Sequence, residues 1–144
     1  GSVNGIVPLV ARMKQRGGGQ IAITGSVTSY GGLPMASAYG ASKAALNSMA
    51  QSLKFDLDRM NIRIQVCNPG FVESELTKKN DFAMPGLMKT IDAAKRYADG
   101  LEKGSFEIRY PRRLAWPLRI VSMLPSLLFF KIIAKATGAD KPLT

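Results

Sequence analysis

The stretch that most constrains the fold runs from Ile21 to Ala45, and it contains three consecutive patterns. The apolar run IAIT is typical of a buried strand in a parallel sheet. A segment rich in glycine and proline follows it and predicts a loop. Small residues then open a helical pattern that continues to Met60. A strand, a loop and a helix in this order indicate an α/β fold with a parallel sheet.

Three polar side chains in this stretch form a candidate catalytic set. Tyr39 and Lys43 are four residues apart, so they share one face of the predicted helix. There the ammonium of Lys43 can stabilise a phenolate, which makes Tyr39 usable as a proton donor and acceptor. Ser26 lies where the strand ends, and its hydroxyl can hydrogen-bond a substrate carbonyl. A lone serine there is more often a loop or cap residue, but its register with Tyr39 favours the catalytic interpretation.

A serine, a tyrosine thirteen residues later and the pattern YxxxK together resemble the short-chain dehydrogenase/reductase family. The IAIT strand, the GLP turn, the AYGASKAAL helix start and the later NPGFVES segment extend this resemblance to about residue 113. The match covers only the second half of that family's fold. It implies an α/β chain that forms the C-terminal half of a doubly wound, mostly parallel Rossmann-type sheet.

The resemblance also implies an activity, which is that of an NAD(P)-dependent oxidoreductase. Ser26 would orient the carbonyl or alcohol of a small substrate, and Tyr39 would exchange its proton. NAD or NADP would exchange a hydride with the same carbon. Lys43 would hold Tyr39 in its reactive state and contact the nicotinamide ribose.

The segment from 68 to 74 is a candidate for cofactor contact, because its PG turn releases the chain at the carboxyl edge of the sheet. In the resembled family, backbone groups and a serine or threonine of this segment contact the nicotinamide. By position, the resemblance assigns Pro69, Gly70 and Ser74 to cofactor binding, together with the tyrosine and the lysine. A helix cap explains Ser74 equally well.

Parts of the family pattern have no match in this sequence. A strand, a Gly-rich turn and a helix bind the cofactor pyrophosphate in that family, and an acidic or basic residue nearby separates NAD from NADP. The run Gly17–Gly19 is not this turn, because it follows a predicted helix and opens a strand. The asparagine of the family's proton relay also has no match. We therefore expect the 144 residues alone to be inactive.

The remaining elements follow from periodicity and from breaking residues. A segment at 77–90 mixes charged and exposed apolar residues without a period, which suits a lid over an apolar substrate. Its apolar members are Phe82, Met84, Leu87 and Met88. The predicted helices are Val3–Arg16, Ser37–Met60 and Asp92–Lys103, and the predicted strands are Gln20–Thr24, Ile62–Cys67 and Phe106–Tyr110.

The helix that carries the tyrosine also predicts an oligomer. Small residues allow two helices to approach closely, and in the resembled family this helix commonly packs in a subunit interface. We expect a homo-oligomer for this reason. The small residues are Ala38, Ala41, Ala44 and Ala45.

The composition of the chain argues against several classes of function. The formal charge of +10 suggests nucleic acid, but the basic residues concentrate near the C-terminus, so we expect no nucleic-acid partner. The absence of histidine removes Ser-His-Asp chemistry and argues against a metal site. Cys67 is the single cysteine, which fits a reducing compartment and a buried apolar role. We expect a cytoplasmic protein, since no secretory signal is visible.

The last 33 residues, 112–144, form an extension distinct from the predicted catalytic half at 1–111. Its longest uncharged run, Ile120–Phe130, is too short to span a bilayer and contains Pro125. Basic residues around an apolar run suit a membrane surface. A C-terminal helix packed on the pocket or on a partner subunit is the competing interpretation. The sequence thus leaves an enzyme, an inactive interaction module and a membrane-surface protein open.

Overall fold

The computed structural model describes residues 1–75, 77–79 and 84–141, and it has an α/β architecture. Short 3-10 turns at Val27–Ser29 and Thr77–Lys79 join its main elements. The helices are α1 (Ser2–Gln15), α2 (Ser37–Asp58), α3 (Thr90–Lys103), α4 (Arg112–Val121) and α5 (Ser126–Thr137), and the strands are β1 (Gly19–Thr24), β2 (Ile62–Pro69) and β3 (Glu107–Tyr110).

The strands form one parallel sheet in the order β1-β2-β3. Gly19 pairs with Ile62 at one end of the first ladder, and Thr24 pairs with Cys67 at the other end. All strands therefore point the same way, and their carboxyl ends meet at one edge. This arrangement confirms the predicted α/β chain with a parallel sheet.

Helices cover both faces of the central strand β2. On one face, Ile62, Ile64 and Val66 pack with residues of α1 and α2. On the other face, Cys67 packs with Ala93 of α3 and with residues of β3. The alternating residues Ile62, Ile64 and Val66 made β2 predictable, whereas Gln65 and Asn68 are buried polar residues of the same strand.

The apolar stripe predicted along α2 lies against the first of these clusters. Leu57 is buried there, and Leu46, Met49, Leu53 and Met60 are partly buried beside it. The stripe is therefore core, as predicted. The predicted close-packing surface lies elsewhere on the helix, where Ala38, Ala41 and Ala45 are exposed. The homo-oligomer remains a prediction.

Strand β1 differs from the prediction of a buried strand, because only one of its faces is buried. Ile21 and Ile23 are buried, whereas Gln20, Ala22 and Thr24 are exposed. Helix α3 contacts this second face through polar groups, since the Tyr97 hydroxyl lies 3.4 Å from Thr24 Oγ1 and Gln20 Nε2 donates to the Leu101 carbonyl over 3.2 Å. In the described part of the chain, no strand pairs with the outer edge of β1. A sequence shows that a strand is apolar but not which layer covers it.

Several predicted boundaries move by one or two residues. Helix α2 ends at Asp58 rather than at Met60, and α3 begins at Thr90 rather than at Asp92. Gly104 ends α3 in a left-handed conformation, with φ at 73°, as its position after Lys103 predicted.

The C-terminal extension forms two helices rather than the single helix that was expected. Helix α4 begins at Arg112, directly after β3 and Pro111. The chain bends at 122–125, and Pro125 then opens α5 because its fixed φ suits a helix start and it lacks an N–H donor. No helix in the described residues is long and apolar enough to cross a membrane.

Cys67 is fully buried in β2, as predicted for a small apolar residue. Its thiol donates to the Tyr110 hydroxyl over 3.4 Å. Burial raises the pKa of the Cys67 thiol to about 11 from 9.0, and the Tyr110 hydrogen bond acts in the opposite direction. The thiolate is therefore disfavoured in the folded chain.

This raised pKa predicts how stability changes with pH. Above the unfolded pKa the unfolded chain loses the thiol proton while the folded chain keeps it, so stability falls as pH rises from 9.0 to about 11. The loss is at most about 1.4 kcal/mol per pH unit for one proton. Urea unfolding at pH 8, 9 and 10 measures it, and Cys67→Ala should reduce the pH slope. An equal slope in both chains would contradict this assignment.

Candidate active site

Strand β1 ends in a tightly packed corner that holds Ser26. The Gly25 N–H donates to the Cys67 carbonyl over 2.7 Å, which continues the sheet by one residue. A Cβ at Gly25 would lie 2.1 Å from Asn68 Oδ1, so only glycine allows the Asn68 amide to come this close. The amide oxygen accepts the Ser26 N–H over 3.0 Å. The end of β2 thus fixes the serine backbone.

The Ser26 side chain caps the turn at Val27–Ser29. Its Oγ accepts the Thr28 N–H over 3.2 Å, and the residue is only 5% exposed. Ser26 is therefore a cap residue, which is one of the two roles that its position in the sequence allowed. The hydroxyl proton of Ser26 has no acceptor among the described residues, so the side chain keeps one donor for a ligand.

Helix α2 holds Tyr39 and Lys43 near the same strand end. Lys43 Nζ donates to the Thr24 carbonyl over 3.0 Å, and it lies 5.6 Å from the centre of the Tyr39 ring. Further along α2, Asn47 Nδ2 donates to Ser29 Oγ and attaches the helix to the 3-10 turn. The structure thus places the three predicted catalytic residues around the carboxyl end of β1.

Tyr39 is open to solvent. Its side chain is 49% exposed, and its hydroxyl has no hydrogen-bond partner in the described part of the chain. Lys43 is partly buried and uses one of its three donors on the Thr24 carbonyl. A phenol and an ammonium with unused hydrogen-bonding capacity can serve a bound molecule.

The predicted cofactor-contact residues after β2 have other partners. The Gly70 N–H donates to the Tyr110 carbonyl over 2.7 Å. Ser74 Oγ accepts the Thr77 N–H over 3.2 Å, and Thr77 Oγ1 accepts the Ser74 N–H over 2.9 Å. Pro69 is the last residue of β2 and is partly buried. Ser74 therefore caps the turn at Thr77–Lys79, which is the alternative raised from its sequence.

Part of the predicted lid at 77–90 is attached to the segment that follows β2. The Met88 N–H donates to the Phe71 carbonyl, and the Met88 carbonyl accepts the Glu73 N–H, over 3.0 and 2.9 Å. Leu87 is exposed and Met88 is partly buried. Phe82 lies outside the described residues.

Sequence reasoning missed a buried polar network behind Ser26. Asn68 Nδ2 donates to Glu107 Oε1 over 2.8 Å, and the Tyr30 hydroxyl donates to the same oxygen over 2.5 Å. Arg109 Nη1 lies 3.3 Å from the other Glu107 oxygen. Burial, followed by the hydrogen bond with Glu107, raises the pKa of Tyr30 well above its ordinary value. The network ties Ser26, through Asn68, to strand β3.

A cavity of about 160 Å³ lies beside this network, lined by residues that include Asn47, Asn68, Glu107 and Arg119. The three predicted catalytic residues do not line it. The candidate site is an open surface at the end of β1 rather than this cavity. No group of His, Cys, Asp and Glu among the described residues could hold a metal ion.

Comparison with known proteins identifies the family. A family model described as short chain dehydrogenase matches residues 1–84, which is more than half of the chain. The chain belongs to the short-chain dehydrogenase family. This result confirms the resemblance drawn from the serine, the YxxxK pattern and their surroundings.

Individual relatives of this family member are also described as oxidoreductases. An uncharacterized oxidoreductase of Myxococcus xanthus is 39% identical over 121 residues, which cover 84% of this chain and 48% of that protein. An oxidoreductase of Sarocladium schorii is 41% identical over 78 residues, 54% of this chain and 30% of that protein. The chain thus spans half or less of the length of these relatives.

Solved structures support the fold. A short-chain dehydrogenase from Sphingobium yanoikuyae in complex with NADPH has a TM-score of 0.69 and is 19% identical. The match covers 96% of this chain and 52% of that one. At this identity the likeness concerns the fold alone, and it agrees with a Rossmann-type α/β chain.

Proposed function

We propose that this chain carries the catalytic side of an NAD(P)-dependent oxidoreductase, which interconverts a carbonyl and an alcohol. One observation carries the proposal: Lys43 Nζ bonds the Thr24 carbonyl beside the Tyr39 ring, two residues before Ser26. The family and the oxidoreductase relatives support it. The proposed substrate is a small, apolar carbonyl or alcohol.

The residues of this chain can contact the nicotinamide end of a nicotinamide cofactor. Tyr39 and Lys43 are accessible and have unused hydrogen-bonding groups, so they would hold the nicotinamide ribose. Pro69 and Gly70 would contribute backbone groups. Ser74 would contribute its hydroxyl, which also caps the adjacent turn. We propose NAD or NADP without choosing between them.

The chain's own groups would act on the substrate oxygen. Ser26 would donate its free hydroxyl proton in a hydrogen bond to the carbonyl and orient it. Tyr39 would give its phenolic proton to that oxygen during reduction and would take it back during oxidation. The ammonium of Lys43 would stabilise the phenolate that remains. A bound nicotinamide supplies the hydride for the carbon.

The test uses a completed chain, in which these 144 residues follow the part of the Myxococcus xanthus relative that precedes the matched region. Carbonyl reduction is assayed with NADH and NADPH on a panel of apolar ketones. We expect turnover with at least one cofactor. A folded, cofactor-binding chain that reduces no carbonyl and oxidises no alcohol would refute the proposal.

Replacing Lys43 by methionine in the completed chain should lower both turnover and cofactor affinity. The side chain keeps its apolar stem but loses the ammonium that bonds Thr24 and faces Tyr39. We expect kcat/KM to fall by about 100-fold, the lower end for a proton-transfer residue. Steady-state kinetics and calorimetric cofactor titration measure the two effects.

Lys54→Met is the matched control, since Lys54 lies on the same helix and pairs only with Asp58 in the described residues. It should leave both quantities unchanged. Equal losses in the two variants would assign the effect to the helix rather than to the site, and so would count against the role of Lys43.

A further inference from the structure

The two C-terminal helices each have a packed side and an exposed side. Ala115 of α4 and Ile133 of α5 are buried. A Cβ at Gly31 would lie 2.6 Å from Phe129 Cζ, so the Phe129 ring packs directly on the loop after Ser26. Arg119 lies 5.5 Å from the centre of the Tyr30 ring. These contacts attach the inner sides to the catalytic half, as the packed-helix interpretation expected.

The outer sides remain apolar and exposed. Met123 is 76% exposed and Leu127 is 78% exposed. Burying such side chains away from water is favourable, and neighbouring apolar groups at this exposure mark an interaction surface. The outer apolar surface consists of Trp116, Ile120, Met123, Leu127, Leu128, Phe130 and Ile132.

Three exposed basic residues of the two helices lie within this surface, whereas Arg119 lies on the inner side against Tyr30. Arg112 precedes Trp116 by one helical turn, and Lys131 follows Leu127 by one turn, so each pair shares a face. Lys135 continues the second row, and all three cations are exposed. No acidic residue occurs between 112 and 139. In the described residues, these three cations form no ion pair.

We propose that the outer apolar surface docks on the surface of an anionic phospholipid membrane. The exposed cations complement lipid phosphates, and the apolar side chains would enter the boundary between headgroups and acyl chains. Lysines on the same face can extend their ammonium groups to the headgroups while their stems stay in apolar surroundings. A protein groove that takes an apolar helix face would instead bury these ammonium groups, which is costly.

The lengths of the helices agree with lying on the membrane rather than crossing it. Helix α4 has 10 residues and α5 has 12. At 1.5 Å per residue they measure roughly 15 and 18 Å, about half of the hydrocarbon thickness of a bilayer.

The helices that carry the surface follow β3, the strand opposite the unpaired edge of β1. Helix α4 packs on β3, whereas the unpaired edge of β1 lies at the other side of the sheet. A strand that extends the sheet at β1 would therefore pair at the edge opposite β3, on which α4 packs. Docking would also bring the loop after Ser26 close to the membrane, because Phe129 packs on that loop.

The test uses the intact chain, whose single tryptophan, Trp116, lies in the proposed surface. Tryptophan emission is recorded with vesicles of phosphatidylcholine and with vesicles that also contain phosphatidylglycerol, and binding is measured by co-sedimentation. We expect a larger blue shift and stronger quenching by brominated lipid on the anionic vesicles at equal lipid concentration. Affinity should be about ten-fold higher there and should weaken as salt is raised.

Two sets of variants separate this surface from the general positive charge. Lys131→Glu with Lys135→Glu should reduce binding about ten-fold, whereas the exposed pair Lys89→Glu with Lys95→Glu, which changes the charge equally, should not. Leu127→Asn with Met123→Asn should abolish the Trp116 shift without unfolding, since both side chains are exposed. Circular dichroism checks the fold of each variant.

Three results would overturn the proposal. The first is equal binding by the two lysine variants, and the second is binding without a change in Trp116 emission. The third is self-association that buries Trp116 in the absence of vesicles, which would assign the surface to a second copy of the chain. None of these measurements uses catalytic activity, so they stand apart from the proposed oxidoreductase function.

Discussion

Replacing Tyr39 by phenylalanine in the completed chain should leave most of the cofactor affinity intact, because Lys43 would still contact the ribose, and should lower carbonyl reduction by at least about 100-fold. The ring keeps its place beside Lys43, with Nζ 5.6 Å from the ring centre, but the transferable proton is lost. The side chain is half exposed and its hydroxyl has no partner in the described residues, so stability should hardly change. Steady-state kinetics, cofactor titration and thermal unfolding measure the three quantities.

Tyr97→Phe is the matched control for this variant. Its hydroxyl lies 3.4 Å from Thr24 Oγ1, so the same atom is removed near the same strand from a residue with no proposed chemistry. Its reduction rate should equal that of the unchanged chain. Near-normal carbonyl reduction by Tyr39→Phe would mean that Tyr39 is not the proton donor, regardless of the result for Tyr97→Phe.

The sequence predicted the elements that depend on local pattern. Ile62, Ile64 and Val66 alternate along β2 because they face one apolar cluster, and Gly104 ends α3 because it can take a positive φ. Tyr39 and Lys43 share a face because any helix places residues four apart together. These features depend on neighbours in the chain, so a single sequence contains them.

The polar network behind Ser26 could not be predicted in the same way. Asn68 and Glu107 are 39 residues apart in the chain and meet only because β2 and β3 pair in register. In the sequence, Glu107 is an ordinary polar residue that alternates with apolar ones. The only local signal was the amide of Asn68 at the carboxyl end of β2. Contacts between strands decide what such a side chain does.

Features that depend on a covering layer or on tertiary packing also could not be predicted from the sequence. Gln20, Ala22 and Thr24 stay exposed although α3 contacts Gln20 and Thr24, so burial of this face would need a further layer. The bend that separates α4 from α5 depends on how far the chain must turn to pack Phe129 on Gly31. Pro125 indicated a break between α4 and α5, but tertiary packing sets the angle between the two helices.

The polypeptide of these 144 residues, prepared alone, should show no useful affinity for NADH or NADPH and no measurable turnover. A dinucleotide lies across both halves of a doubly wound sheet, with its pyrophosphate at a Gly-rich turn. The sheet formed by the described residues has three strands, and no such turn is recognisable in the sequence. Tyr39 and Lys43 would then contact only the nicotinamide side, which gives too few interactions for binding.

The exposed face and unpaired edge of β1 should also make the isolated polypeptide self-associate, because unpaired backbone groups and uncovered strand surface favour pairing. Calorimetric titration of both cofactors, a carbonyl-reduction assay and sedimentation of the same sample measure the three properties. The completed chain is the positive control and should bind cofactor under the same conditions. Micromolar binding with turnover by the isolated polypeptide would instead mean that these residues, alone or as an oligomer, form a dinucleotide site without a Gly-rich turn.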